Sequence, residues 1–143
     1  MIWKNHLNID QINEINQNTL CQSLGITITE VGNAYIKATM PVDHRTHQPY
    51  GILHGGASVA LAESLGSIAS LLMLETTEKG VPVGLEINAN HLRQVSRGLV
   101  TGIVKPIKTG KNVHVWNIEI YNEDEKLTCV SRITILITQN IKQ

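Results

Sequence analysis

The chain has 143 residues, with twelve Lys and Arg balancing twelve Asp and Glu, so its net charge is zero and its pI is near 7.0. That length fits one domain spanning residues 1–143, which buries roughly 70% of its unfolded surface and needs no covalent staples. A neutral domain lacks the basic footprint of a nucleic-acid binder, and Cys21 and Cys129 lie far apart without CxxC spacing, so they read as reduced thiols.

The N-terminus MIWKNHLNID has neither an apolar signal core nor a cleavage site, and Glu63 interrupts the most apolar stretch, residues 57–74. A soluble, cytoplasmic chain without a membrane span is expected. Asn8 or Asp10 caps a short helix carrying Ile9, Ile12 and Ile15 near one face. Leu24, Ile26 and Ile28 alternate as one side of a strand. Ala34, Ile36, Ala38 and Met40 do the same for a second, which Pro41 ends, with Gly32-Asn33 as a tight turn between them. Residues 41–56, PVDHRTHQPYGILHGG, read as an irregular loop. A helix then runs from about Ala57 to Glu75, apolar nearly all round, and such a helix must be buried on most sides. Four strand-like runs follow near 82–92, 98–106, 112–121 and 127–138, with Asn122-Glu123-Asp124-Glu125 as a polar hairpin loop before the last. One long apolar helix needs a sheet curved around it, so the expected class is α+β, an antiparallel sheet wrapped around a long central helix.

Glu63 is the only charged residue between Gly55 and Leu74. A carboxylate in an apolar helix is costly to bury. It either takes a raised pKa suited to proton transfer or attack, or it faces a solvent gap or a subunit contact. Ser67, four residues on, shares its helix face and either holds a water beside the carboxylate or bonds its own helix. His54-Gly55-Gly56 sits where the loop meets the helix. Unpaired N–H groups of a first helical turn carry partial positive charge, and glycine lets a carbonyl approach them, which suits an oxyanion. Glu63 lies nine residues beyond His54, about 13 Å along a helix axis at 1.5 Å per residue. One small reacting group cannot touch both on one chain. An antiparallel helix from a two-fold partner would bring His54 of one copy to Glu63 of the other.

His44, His47 and Asp43 share a loop, but no HExxH or cysteine pair accompanies them, so no metal is expected. The segment Lys105–Asn112 joins two strands. Its three lysines around a Gly-containing turn suit phosphates, or form only a solvated hairpin loop. His91 and Arg93 add two donors, and Arg132 belongs to the same basic surface or to a cross-strand pair.

The run MPVDHRTHQPYGILHGGASVALAESLGSIAS, followed by VGLEINANHLR, resembles the hotdog-fold acyl-CoA thioesterases of the phenylacetate-degradation and 4-hydroxybenzoyl-CoA type, and the similarity covers essentially the whole chain. Within that family it is most similar to the branch acting on 1,4-dihydroxy-2-naphthoyl-CoA in menaquinone formation and to the branch that proofreads misloaded aryl carrier proteins. The resemblance implies that Glu63 is nucleophile or general base, that Gln48 and His54 line the thioester, that the Gly55 N–H polarises its carbonyl and that Ser67 orients the lytic water. It implies Gly84 at the acyl end. It implies His91, Leu92, Arg93 and Gln94, with Lys108, Thr109, Gly110, Lys111, Asn112 and Val113, over the coenzyme A portion. It further implies a homotetramer built from two dimers, no cofactor, and an acyl-CoA or acyl or aryl carrier protein as partner. The competing readings are a hotdog dehydratase or hydratase, a non-catalytic acyl-CoA binding module and a purely structural oligomeric domain. The set Gln48, His54 and Glu63 favours hydrolysis.

Overall fold

The computed structural model describes residues 1–139, apart from the side chain of Lys79. Its elements are α1 (Ile9–Ile15), α2 (Leu20–Leu24), β1 (Thr27–Val31), β2 (Ile36–Pro41), α3 (Gly55–Leu72), a 3-10 turn (Thr77–Lys79), β3 (Val81–His91), β4 (Leu99–Thr109), β5 (Val113–Tyr121) and β6 (Leu127–Thr138). All strand pairs are antiparallel, and the six strands form one sheet in the order β1-β2-β4-β5-β6-β3. The sheet wraps α3, which is the expected hotdog arrangement.

The helix ends follow from capping. Asn8 and Gln11 exchange reciprocal bonds to each other's backbone N–H and open α1, whose Ile12 is buried. The helix α2 was not anticipated. Thr19 caps it through the Cys21 N–H, and Gly25, at φ 71°, closes it in the left-handed conformation that glycine adopts without strain. Leu24 therefore belongs to α2 and Ile26 to the connection, leaving only Ile28 of the expected alternating trio in β1. A period of two over three residues does not distinguish a strand from a one-turn helix running into an extended segment. Cys21 and Cys129 are both buried and unpaired by disulfide.

The core helix starts two residues earlier than its apolar pattern and ends three earlier, because glycines lie inside its first turn and Met73 caps its end. Leu61, Ala62, Leu65, Ala69 and Leu72 are buried against the sheet, each leucine contributing about 1.5–3 kcal/mol on burial. By length and composition α3 could cross a membrane; here the sheet covers it as a core helix. Two glycines let helix and sheet approach: a Cβ on Gly66 would lie 2.5 Å from Ile133 Cγ2, and one on Gly102 would lie 2.7 Å from Leu65 Cδ1. Along β5, His114, Trp116, Ile118 and Ile120 alternate inward. Trp116 stacks on the buried Trp3 at 6.1 Å between ring centroids.

Two bulges matter for the site. β4 continues to Thr109, three residues beyond expectation, since a register slip between Pro106 and Lys108 accommodates the proline. The lysine-bearing connection is thus mostly strand, and the turn itself is only Gly110–Asn112. β3 slips between Gly84 and Glu86, which leaves Leu85 64% exposed. This eleven-residue strand is one edge of the sheet.

Candidate active site

The loop 42–54 is ordered by its own backbone bonds. Thr46 is buried; its hydroxyl donates to the Pro41 carbonyl at 2.7 Å, and its carbonyl accepts the His54 N–H at 2.8 Å. Leu53 N–H reaches Val95 O at 2.7 Å, and Gln48 N–H reaches Ile52 O at 2.8 Å, closing a small hairpin that presents Gln48. The Gln48 side-chain oxygen accepts the Tyr50 N–H. Arg45 grips Asp43 at 2.7 Å and holds that carboxyl well below the usual carboxylate range. His47 Nε2 meets Ser96 O at 3.0 Å, while His44 remains at the surface, 3.9 Å from Asp43.

His54 caps α3, its Nδ1 accepting the Gly56 N–H at 2.7 Å. An accepting Nδ1 on a neutral ring leaves the proton on Nε2, so His54 presents an N–H donor outward. The N–H groups of Ala57 and Ser58 both reach His54 O. Among the described residues nothing takes the Gly55 N–H. Gly55 lines a cavity of about 410 Å³ whose other walls include Gln48, Leu53, Ser58, His91, Arg93 and Gln94. A Cβ on Gly55 would lie 2.8 Å from His91 Nε2, so the imidazole packs beside the glycine. Thr128 of β6 fixes the neighbouring segment by accepting the Leu92 N–H at 2.7 Å.

Glu63 is exposed on the single chain. Its carboxylate lies over Gly84 of the edge strand β3: a Cβ on that glycine would sit 2.6 Å from Glu63 Oε1. Ser67 is half-buried beside it. Its hydroxyl makes no helix bond, whereas Ser64 does, to Ala60 O at 2.7 Å.

One chain therefore gathers Gln48, Gly55 and His91–Gln94 at the start of α3, with His54 capping it, and Glu63, Ser67 and Gly84 half-way along. The turn residues Thr109–Asn112 line a different cavity, of about 370 Å³, with Met73 and Glu75 beyond the other end of α3. The two segments expected over coenzyme A do not meet within one chain. Sequence reasoning passed over Ser58 and Thr128. Ser58 lies four residues after His54 on the same helix face, a spacing that could have signalled it.

The family model for the thioesterase superfamily matches residues 50–129, from the loop before α3 into β6. This chain belongs to the thioesterase superfamily. It is 47% identical over 137 residues to the 1,4-dihydroxy-2-naphthoyl-CoA hydrolase of Escherichia coli K12, covering 96% of this chain and 99% of that one. It is equally 47% identical, over 138 residues, to the proofreading thioesterase EntH of Cronobacter sakazakii, covering 96% and 98%. Among solved structures, a thioesterase from Haemophilus influenzae matches with a TM-score of 0.93 at 50% identity, covering 100% of this chain and 98% of that one. A mutant thioesterase from Pseudomonas aeruginosa matches at 0.94 and 43%, covering 96% and 99%. The enzyme is a thioester hydrolase.

Proposed function

We propose that this thioesterase hydrolyses acyl-CoA esters at a site shared by two copies of the chain, with Glu63 as its catalytic carboxylate. The observation that carries this reading is Gly55 at the positive end of α3, its N–H without a partner among the described residues, lining a cavity of about 410 Å³ together with Gln48 and Arg93. A cavity of that size suits a small ligand. The thioester carbonyl accepts the Gly55 N–H, and charge developing on its oxygen meets the helix dipole. Gln48 and the His54 Nε2–H line the same group. Glu63 of the second copy attacks the carbonyl carbon and expels coenzyme A thiolate, and water then hydrolyses the mixed anhydride to free acid. In the alternative route Glu63 takes a proton from a water held by Ser67, and that water attacks. No cofactor takes part.

Sharing the site between copies is supported by the edge strand. β3 is long and open on its outer side, with Val83 40% and Leu85 64% exposed, and Glu63 lies beside it. An open apolar edge invites a second strand. Two-fold pairing there sets the α3 helices antiparallel and brings Gly55 of one copy toward Glu63 of the other. The coenzyme A portion runs over His91–Gln94 of one copy and Lys108–Val113 of another, and two such dimers make the tetramer. Gly84 contacts the acyl end.

The preferred acyl group is 1,4-dihydroxy-2-naphthoyl, in menaquinone formation in the cytoplasm; the identity with the E. coli hydrolase supports it. Proofreading of aryl carrier protein thioesters is the second reading, supported by equal identity with the Cronobacter enzyme. The test is thiol release from 1,4-dihydroxy-2-naphthoyl-CoA, benzoyl-CoA, hexanoyl-CoA and a hydroxybenzoyl carrier-protein thioester, with Glu63→Gln alongside. Fast release that Glu63→Gln abolishes is expected, and the ranking selects the acyl group. Full activity of the variant would remove Glu63 from the chemistry.

A further inference from the structure

One buried titratable side chain takes no part in that chemistry. His114, on β5, is 3% exposed, and its Nδ1 lies 3.0 Å from the hydroxyl of Ser70, which is fully buried on α3. Trp116 Nε1 donates to the same hydroxyl at 2.8 Å. An indole nitrogen only donates, so Ser70 accepts from Trp116 and keeps its own O–H to give to His114 Nδ1. The ring proton then sits on Nε2. The result is a directed chain from the core indole through Ser70 of α3 to His114, which pairs with Thr109 across the β4–β5 hairpin two residues from the turn. That turn is otherwise tied down by two backbone bonds of 2.9 Å, Gly110 N–H to Val113 O and Ile137 N–H to Asn112 O. Among the described residues the buried side-chain nitrogen or oxygen without a partner is Asn16 Nδ2, outside this network, and burying such a network is favourable only when its members are satisfied.

We propose that His114, oriented by Ser70 and Trp116, is a positioning residue that fixes the turn Gly110–Asn112 against the C-terminal end of α3 and thereby sets affinity for the phosphate-bearing arm of the substrate. This rests on the reading that Lys108–Val113 cover coenzyme A. His114 itself stays out of reach of the thioester, because it touches the last turn of α3 while Gly55 forms the first. Burial, and secondarily Lys4, pushes its pKa down, against the opposing pull of Gly110. Among the described residues the charged groups around the turn are Lys4 from the N-terminal segment, Glu75 after α3, and Lys108 and Lys111 on the hairpin. Protonation converts Nδ1 from acceptor to donor, and Ser70 then has no acceptor for its O–H. The turn loosens and the nucleotide arm binds more weakly.

The test compares benzoyl-CoA with benzoyl-N-acetylcysteamine, the same thioester without phosphates, in Ser70→Ala, His114→Leu and His114→Gln enzymes. The expected result is a KM for benzoyl-CoA raised about tenfold in the first two, the size of one buried hydrogen bond to a neutral partner. Their kcat and their KM for the short thioester stay at wild-type values. His114→Gln, which keeps an acceptor and a donor, restores the KM and removes its rise at acid pH. Equal KM increases for both substrates, or none, would overturn the assignment. Lys108→Ala/Lys111→Ala separates the layers: if that variant leaves the benzoyl-CoA KM unchanged, the coenzyme A reading of the turn fails. If it raises the KM while Ser70→Ala does not, only the positioning role fails. Should His114→Leu not fold, Ser70→Ala and the pH profile of His114→Gln decide alone.

Discussion

Gly84→Ala reports on the position of the Glu63 carboxylate. The added methyl carbon would lie 2.6 Å from Glu63 Oε1, about 0.8 Å inside an ordinary van der Waals contact, and 3.6 Å from the carboxyl carbon. The next neighbour, Ile133 Cδ1, is 3.9 Å away and has room. The backbone at Gly84 is in the extended strand conformation, so alanine fits it without strain, and losing a glycine stabilises by about 0.4–1 kcal/mol through the unfolded chain. Only the flexible end of Glu63 has to move, by nearly 1 Å. A misplacement of that size at a reacting group costs on the order of 10²-fold in rate. Steady-state thiol release should therefore show kcat/KM lowered about a hundredfold, with the melting temperature of Gly84→Ala equal to or above wild type. In a Glu63→Gln background the same substitution should add almost nothing, since coupled positions are not additive. Wild-type turnover by Gly84→Ala would refute the placement of the reacting carbonyl beside Glu63.

Mixing inactive His54→Ala and Glu63→Gln chains under subunit exchange should restore about a quarter of wild-type activity, because half the dimers are mixed and each rebuilds one of two composite sites. A chain whose site is complete within itself gains nothing on mixing. Between the depressed pKa of His114 in the folded enzyme and its ordinary value near 6.5, the unfolded chain binds the extra proton. Stability should thus fall as pH drops below about 6.5, and His114→Gln should flatten that slope in chemical denaturation. Gly66→Ala should destabilise by about 1–3 kcal/mol, since its methyl would lie 2.5 Å from Ile133 Cγ2 in the packed interface between α3 and β6; an unchanged denaturation midpoint would mean that helix and sheet can separate at no cost.

The architecture was legible because its signals are long. Eighteen residues of apolar helix and four strands of nine to twelve residues leave few alternatives for the chain's core. Short elements were not: α2 is set by Thr19 and Gly25, two capping residues whose meaning depends on each other, and they lost to three alternating aliphatics. The site divided along the same line. His54 and Gly55 follow from helix-end chemistry and Glu63 from its isolation in the helix, so spacing alone could show that they stand too far apart to meet on one chain. The exposure of Glu63, the imidazole beside Gly55 and the separation of Thr109–Asn112 from His91–Gln94 depend on where distant strands lie. No local pattern encodes those. Ser70 was hidden among helix serines, because only its cross-sheet partners, Trp116 and His114, distinguish it from filler.

Under the proposed arrangement, the placement of Glu63 at an open sheet edge, about 12 Å up the helix from Gly55, gives the catalyst a concentration threshold. A newly made chain carries every functional group yet holds them as two unfinished halves, and under the proposed arrangement it spares cellular thioesters until it meets a second chain. Specific activity then falls on dilution instead of staying constant per molecule, and the dose at which it collapses measures the strength of the β3 edge contact. The level of expression, as well as the number of molecules, would set how sharply the activity turns on.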